Sequence, residues 1–134
     1  MSTTPSSPIT GVDFVTIPTR DLAAAREFYD TVLGLEAGGL WQRGDAPARG
    51  AEFQAGNLTL SLVDPSAIGV EFQASSVPIA LHVEDIEAAR ALLESRGVSF
   101  HGDTMDTGVC FMAPFRDSDG NPLMLHHRYA PRAG

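Results

Sequence analysis

The 134-residue sequence predicts an α+β fold made of two paired βαβββ modules. The main observation is an internal repeat with an offset of 64 residues: the segment RDLAAAR at 20–26 is echoed by EDIEAAR at 84–90, and Gly56-Asn57 is echoed by Gly120-Asn121. The second observation is that each copy combines one helical pattern with several short apolar segments. Two copies of so long a period indicate two modules of one domain, since a solenoid needs more repeats. We therefore expect the function where the modules face each other.

Each module is expected to begin with a strand that leads directly into a helix. Residues 12–19 and 77–83 are rich in β-branched and apolar side chains, which favour strands. Asp21 and Asp85 follow, and an aspartate in this position accepts hydrogen bonds from the first free N–H groups of a helix. Apolar residues at three- and four-residue spacing then continue each helix.

Glycines and turn residues divide the rest of each module into short strands. Gly34 and Gly97 are expected to end the two helices in the left-handed conformation. Further strands are predicted at 36–43, 50–55 and 58–64 in the first module, and at 98–104, 108–113 and 122–128 in the second.

The domain organisation follows from these boundaries. Residues 1–9 contain neither a positively charged start nor an apolar stretch, so they are expected to be a disordered leader and not a secretory signal. Residues 10–134 are expected to form a single domain with modules at 10–64 and 77–129. Residues 65–76 connect the two modules.

The composition is that of a globular protein, with 43% hydrophobic and 19% charged residues. No apolar run approaches the ~20 residues that a membrane-spanning helix needs. We therefore expect a cytoplasmic protein that does not interact with membranes.

The charge and cysteine content exclude further classes. Seventeen acidic and nine basic residues give a net charge of -8, which opposes binding to nucleic acid and to anionic membranes. Cys110 is the only cysteine, so neither an intrachain disulfide nor a thiolate metal cluster can form. Its apolar neighbours predict a buried thiol that packs as a small hydrophobic group.

Three segments carry a resemblance to a known family. They are DFVTI at 13–17 leading into RDL, FYDTVLGL at 28–35, and FRDSDGN at 115–121. Together they resemble the vicinal oxygen chelate superfamily, which includes glyoxalase I, bleomycin-resistance proteins, fosfomycin-resistance enzymes and extradiol dioxygenases. The likeness covers residues 10–129. It implies a cupped mixed sheet around a cavity, and a homodimer in which a second copy often completes that cavity.

The resemblance also implies where a metal would be bound. Enzymes of this superfamily typically hold a divalent metal with ligands from the first and last strands of each module. Those positions correspond to Phe14 and Pro78 on the first strands, and to Leu60 and Met124 on the last strands. None of the four carries a nitrogen or oxygen donor. A slip that substitutes Asp13 for Phe14 would reverse the faces of the strand, so no resident metal or other cofactor is expected outside a displaced site.

Side-chain alternation provides a second set of candidates. His82 shares a face with the first-strand position of module two, and His126 shares a face with the last-strand position. Glu52 or Gln54, on the third strand of module one, would join them from the side. His82, His126 and Glu52 are therefore the candidate catalytic residues. The competing interpretation is that the histidines are structural residues with ordinary hydrogen bonds.

Four other polar residues are interpreted as structural. Asp117 and Asp119 resemble the start of a calcium loop, but the Gly-Asn that follows them and the immediate strand favour a hairpin turn. His101 and His127 are expected at the surface or at an interface.

Two functions remain open. The first is a metal-independent binding protein for a small hydrophobic or aromatic molecule, which suits an apolar cup with few polar groups. The second is a lyase, isomerase or dioxygenase that uses His82 and His126, with or without a metal. A structural or regulatory module has no dedicated signal. The candidate ligand-binding residues are Phe14, Thr16, Trp41, Glu52, Leu60, Leu62, His82, Phe111, Met124 and His126.

Overall fold

Two four-stranded mixed sheets form the scaffold of the protein, in a computed structural model that describes residues 6–132. In each sheet the first strand runs parallel to the last, and the other neighbours are antiparallel. The predicted α+β class and paired βαβββ modules are confirmed. The first sheet has the order β1-β4-β3-β2, with β1 (Val15–Pro18), β2 (Glu36–Trp41), β3 (Gly50–Ala55) and β4 (Leu58–Val63). The second has the order β5-β8-β7-β6, with β5 (Ile79–His82), β6 (Met105–Asp106), β7 (Cys110–Arg116) and β8 (Pro122–Arg128).

The helices begin where the sequence predicts. Helix α1 (Leu22–Glu27) is capped by Asp21, and α2 (Ile86–Ser95) is capped by Asp85; each carboxylate accepts a hydrogen bond from the amide three residues later. Helix α1 continues into a π-helical turn, Phe28–Val32, which the sequence pattern does not predict.

The ends of the helices and the connection between modules are also defined. Gly34 has a φ of 70° and Gly97 a φ of 94°, so both adopt the predicted left-handed conformation. The connection contains a 3₁₀ turn at Pro65–Ile68 that was not predicted. Of the predicted leader, residues 1–5 lie outside the described residues, and residues 6–9 are exposed. No helix within residues 6–132 is long and apolar enough to cross a membrane.

Each sheet buries one face and leaves the other open. On the buried face, Ile17, Leu60 and Leu62 are at most 1% exposed and belong to one core that spans both modules. We call the opposite surfaces the open faces, and cross-strand register defines them. The open face of module one carries Thr16, Glu52, Gln54, Thr59 and Ser61, and that of module two carries Ala80, His82, Met112, Met124 and His126.

The prediction of a strand at 98–104 is wrong. Only Met105–Asp106 pairs with β7, because the preceding segment turns inward. The Phe100 ring lies 5.2 Å from that of Phe115, and the Arg90 guanidinium stacks over it at 4.7 Å. Pro114 cannot donate a hydrogen bond on this side of β7; its carbonyl accepts one from the His101 amide instead. The proline in β7 therefore prevents the segment before β6 from pairing with β7 as a regular strand.

A buried polar cluster joins the two modules at one end. The Tyr29 hydroxyl donates a 2.7 Å hydrogen bond to Asp117, in the turn between β7 and β8. Asn121, in the same turn, donates to the Pro18 carbonyl at 2.8 Å and accepts from the Ser75 amide at 2.8 Å. We call these contacts the turn cluster. Burial, followed by the nearby Asp117 carboxylate, raises the pKa of Tyr29 far above its usual value.

The turn itself is a hairpin, as predicted. The Asp117 carboxylate accepts hydrogen bonds from the amides of Asp119 and Asn121 at 2.9 and 2.8 Å. All three side chains are buried. Asp117 therefore stabilises the turn through side-chain to backbone hydrogen bonds, which is a common role of aspartate in turns. The Asp119 carboxylate instead accepts a 3.1 Å hydrogen bond from the Arg20 amide of module one.

Candidate functional site

The open face of module two is an apolar surface with two histidines. Strand register places Ala80 beside Met124, and His126 between His82 and Met112. Met112, Met124 and His126 are each partly buried. No helix covers this face in the part of the chain that the structure describes. A methionine-rich surface with a few polar groups can adapt to apolar ligands of varied shape.

The two candidate histidines occupy neighbouring strand positions but have different surroundings. The Nε2 atom of His82 lies 2.9 Å from Oε1 of Glu84, and this hydrogen bond holds the pKa of Glu84 below its usual value. The His82 ring centroid also lies 6.0 Å from that of His127. His127 is on the buried side of the sheet, where its Nδ1 lies 3.0 Å from the Val83 carbonyl oxygen. His82 is therefore oriented by Glu84 at the rim of the face.

Glu52 lies on the open face of module one, across from Ser61, and is exposed. The structure does not bring Glu52 together with the two histidines. Among residues 6–132, no group of three or more histidine, cysteine, aspartate or glutamate side chains is arranged to hold a metal ion.

The prediction that Leu60 and Leu62 are ligand-binding residues on the open face of the first sheet is wrong. Both are 0% exposed and lie in the core, because β4 pairs them with Val15 and Ile17 on the buried side of the sheet. The residue of β4 that shares a face with Thr16 is Ser61. The offset of 64 residues assigns Leu60 and Leu62 to the wrong face of β4. The reason is that the hairpin that leads into β8 is one residue longer than the one that leads into β4, and a shift of one residue exchanges the two faces of a strand. Phe53 pairs with Leu60, whereas Phe115 pairs with Leu123.

Phe111 lies elsewhere than expected, whereas Trp41 pairs with Gly50, on the same side of the first sheet as Glu52. Phe111 pairs with His127, on the opposite side of the sheet from Met124, and its ring lies 4.9 Å from that of Tyr129. Trp41 is 44% exposed on β2, the edge strand of the first sheet. Neither side chain contributes to the open face of module two.

The four positions at which the superfamily resemblance implies metal ligands do not suit a metal. Phe14 and Pro78 precede β1 and β5 and are exposed, and Met124 lies on β8. The register correction replaces Leu60 by Ser61 as the fourth position. A single neutral hydroxyl does not provide the several imidazole or carboxylate ligands that a divalent metal requires.

A cavity lies between the modules, where the repeat predicts a site, but its position on the helix side was not predicted. Two of the candidate ligand-binding residues, Leu60 and His82, belong to its lining. The cavity has a volume of about 660 Å³ and lies mainly on the helix side of the sheets, where it reaches the end of β5 and is lined by Ala80 and His82 as well. We call it the helix-side cleft. Leu92, at its rim, is 50% exposed, and Leu93 beneath it is buried. A cavity of this size is within the range of small-molecule sites, which is roughly 300–1,000 Å³. Its lining includes Leu33, Leu35, Leu58, Val83, Leu92 and Arg96.

The fold and the two sites define a member of a known family. The chain belongs to the glyoxalase/bleomycin resistance protein/dioxygenase superfamily, whose family model matches residues 11–125. No curated protein matches it in sequence.

Solved structures of similar fold include proteins of more than one function. The antibiotic-binding protein TnmS3 from Streptomyces sp. CB03234 is 25% identical, with a TM-score of 0.75 over 92% of this chain and 99% of that one. A superfamily member from Sphaerobacter thermophilus DSM 20745 is 27% identical, with a TM-score of 0.75 over 88% of this chain and 97% of that one. Lactoylglutathione lyase from Agrobacterium tumefaciens is 19% identical, with a TM-score of 0.68 over 90% of this chain and 95% of that one, and this likeness concerns the fold alone.

Proposed function

We propose that the protein binds a small hydrophobic or aromatic molecule on the open faces of its sheets, without a resident metal. The observation that carries the proposal is the side-by-side placement of Ala80, Met112 and Met124 next to His126 on the open face of module two. Apolar groups at this face favour an apolar ligand because its surface is removed from water on binding.

The chemistry of the implied ligand positions supports a function that does not depend on a metal. Phe14, Ser61, Pro78 and Met124 cannot form a donor set for a divalent cation, but three of them offer apolar contacts. The similarity to an antibiotic-binding protein of nearly equal length supports the same class of ligand.

A second copy of the chain is part of the proposal. Each open face is one wall of a site, and the exposed side chains of Phe14, Leu40 and Trp41 offer apolar surface to a partner. A two-fold dimer brings the same surfaces of two copies together and provides the opposite wall.

A thermal-shift series with aromatic antibiotics and aromatic metabolites tests the proposal. A ligand at 100 times its dissociation constant stabilises the folded protein by about 2.7 kcal/mol, which raises the melting temperature by several degrees. Met124→Glu places a charge on the open face and is expected to remove the shift, because the ligand would have to desolvate that charge. Ala23→Glu is the matched control, since it adds the same charge at an exposed position of α1, outside the open faces.

Two outcomes would contradict the proposal. One is that no member of the series raises the melting temperature of the wild-type protein. The other is that Met124→Glu retains the full shift while its melting temperature without ligand equals that of Ala23→Glu.

The alternative function is acid–base catalysis by His82 and His126, and one observation favours it. The two residues are cross-strand partners, and the Glu84 carboxylate orients the His82 ring. Such an arrangement suits proton exchange with a ligand on the open face. A ligand that is recovered chemically changed, and that is recovered unchanged after incubation with His82→Ala or His126→Ala, would establish this alternative.

A further inference from the structure

The helix-side cleft is the repeat-related counterpart of the turn cluster. Adding the repeat offset to Thr19, Ala25 and Tyr29 gives Val83, Ala89 and Leu93, and all three of these line the cleft. The two modules therefore meet at two related places. One of them is filled by the turn cluster, and the other is the cavity of about 660 Å³.

Two differences between the copies leave the cleft open. The first is that Leu93 occupies the position of Tyr29, so no phenol reaches across to the other module. The second is the shorter hairpin between β3 and β4. Its Asn57 is exposed, whereas the matching Asn121 is 1% exposed and bonds to both the Pro18 carbonyl and the Ser75 amide. The space that side chains fill in one copy is thus available to a ligand in the other.

The lining defines the chemistry of that ligand. Leu33, Leu35 and Leu92 come from both modules and make the walls apolar. Arg96 and His82 are the basic residues of the lining, and no aspartate or glutamate belongs to the lining among residues 6–132. Of the two, the arginine is always charged. One nitrogen of its guanidinium donates to the Val32 carbonyl at 3.0 Å, which holds the group at the mouth of the cleft.

Arg96 has donors left for an anion. It takes part in none of the ion pairs that the described residues form, although the protein has an excess of acidic residues. A guanidinium has five N–H donors in a fork that matches a carboxylate. An arginine at the end of an apolar cleft therefore suits a molecule with an apolar body and one carboxylate.

We infer that the cleft between the modules is a second binding site, for amphipathic carboxylates. The apolar chain or ring of the ligand lies between Leu35 and Leu92, and its carboxylate pairs with Arg96. The cleft shares Ala80 and His82 with the open face of module two, but the residues that define its chemistry, Leu35, Leu92 and Arg96, lie outside that face, so the inference does not rest on the function proposed for the open faces.

Binding of decanoate, with decanol as the uncharged comparison, tests the inference. In the wild-type protein decanoate is expected to raise the melting temperature and to shift the amide NMR signals of Leu35, Val83 and Leu92, with decanol binding about tenfold more weakly. Arg96→Gln should weaken decanoate about tenfold and leave decanol unchanged. Arg26→Gln, at an exposed position on α1 outside the cleft, is the matched control and should bind as the wild type does.

A variant that fills the cleft completes the test. Leu92 is 50% exposed, so Leu92→Trp is expected to fold normally while its indole occupies the mouth and abolishes binding of both probes. Decanoate binding that is unchanged in a folded Leu92→Trp would overturn the inference. So would signal changes confined to Met124 and Glu52 on the open faces. A change in molecular mass of Leu92→Trp by light scattering would also overturn it, because it would show that a second copy covers the cleft.

Discussion

The phenol of Tyr29 and the carboxylate of Asp117 form a 2.7 Å hydrogen bond between residues 88 positions apart in the sequence. The bond links the π-helical turn of module one to the last hairpin of module two. Both residues are buried, so the contact is protected from water.

Tyr29→Phe is expected to lower the free energy of unfolding by about 1.5–3 kcal/mol, because it removes a buried hydrogen bond to a charged group. Urea denaturation at neutral pH measures the change. Tyr129→Phe is the matched control, since the hydroxyl of Tyr129 also bonds to an aspartate, Asp106, but at an exposed position. Equal effects of the two substitutions would show that burial of the Tyr29 bond is not decisive.

The same tyrosine predicts a loss of stability in alkali. The pKa of Tyr29 is raised in the folded protein, whereas in the unfolded chain it is about 10. Above pH 10 the unfolded state therefore releases a proton that the folded state keeps, and the free energy of unfolding falls by about 1.4 kcal/mol per pH unit from this group. Below pH 10 the contribution is fully present.

Denaturation curves of the wild type and Tyr29→Phe between pH 8 and pH 11.5 isolate that contribution. The sequence contains no lysine, so few other groups titrate in this range. The difference in stability between the two proteins should be constant up to about pH 10 and then shrink. A difference that stays constant to the highest pH would contradict the raised pKa.

The repeat supplies a matched pair of asparagines for a third prediction. Asn121→Ala removes the bonds to the Pro18 carbonyl and the Ser75 amide and should lower the free energy of unfolding by about 3 kcal/mol. Asn57→Ala, at the corresponding exposed position, should change it by less than about 0.5 kcal/mol. Chemical denaturation of the two variants checks both values, and similar losses would show that the two hairpins contribute alike.

Metal analysis provides a fourth prediction. Protein purified without chelators and then dialysed is expected to contain far less than one equivalent of zinc, nickel, manganese or iron, because Phe14, Ser61, Pro78 and Met124 lack suitable donors. Stoichiometric metal that is lost in both His82→Ala and His126→Ala would instead establish a displaced site. Elemental analysis by mass spectrometry measures the content directly.

Local signals explain why much of the fold could be predicted. The caps at Asp21 and Asp85 and the left-handed Gly34 and Gly97 depend on a few neighbouring residues, so the sequence alone indicates them. The repeat adds the pairing of the modules. The strand predicted at 98–104 does not form, because pairing of this segment with β7 depends on Pro114, which is distant in sequence.

The site was harder to predict, because a sheet face depends on register. One extra residue in the hairpin before β8 shifts the repeat offset, and this moves Leu60 from the expected cup face into the core. The residues of the open face of module two were predicted, since His82, Met124 and His126 lie there. The cleft was not predicted, because it is a space that neither Leu93 nor the short hairpin between β3 and β4 fills.

The turn cluster has a consequence for motion within the chain. The turn cluster joins the modules through the buried Tyr29–Asp117 hydrogen bond, whereas at the other end the hydrogen bond from Arg96 to the Val32 carbonyl is exposed. We therefore expect larger relative movement of the modules at the Asn57 end than at the turn cluster. Amide hydrogen exchange should therefore be slow for Asp119 and Asn121, whose amides are buried and bonded, and fast around Gly56 and Asn57. The internal repeat thus supports a fold with one rigid end and one compliant end.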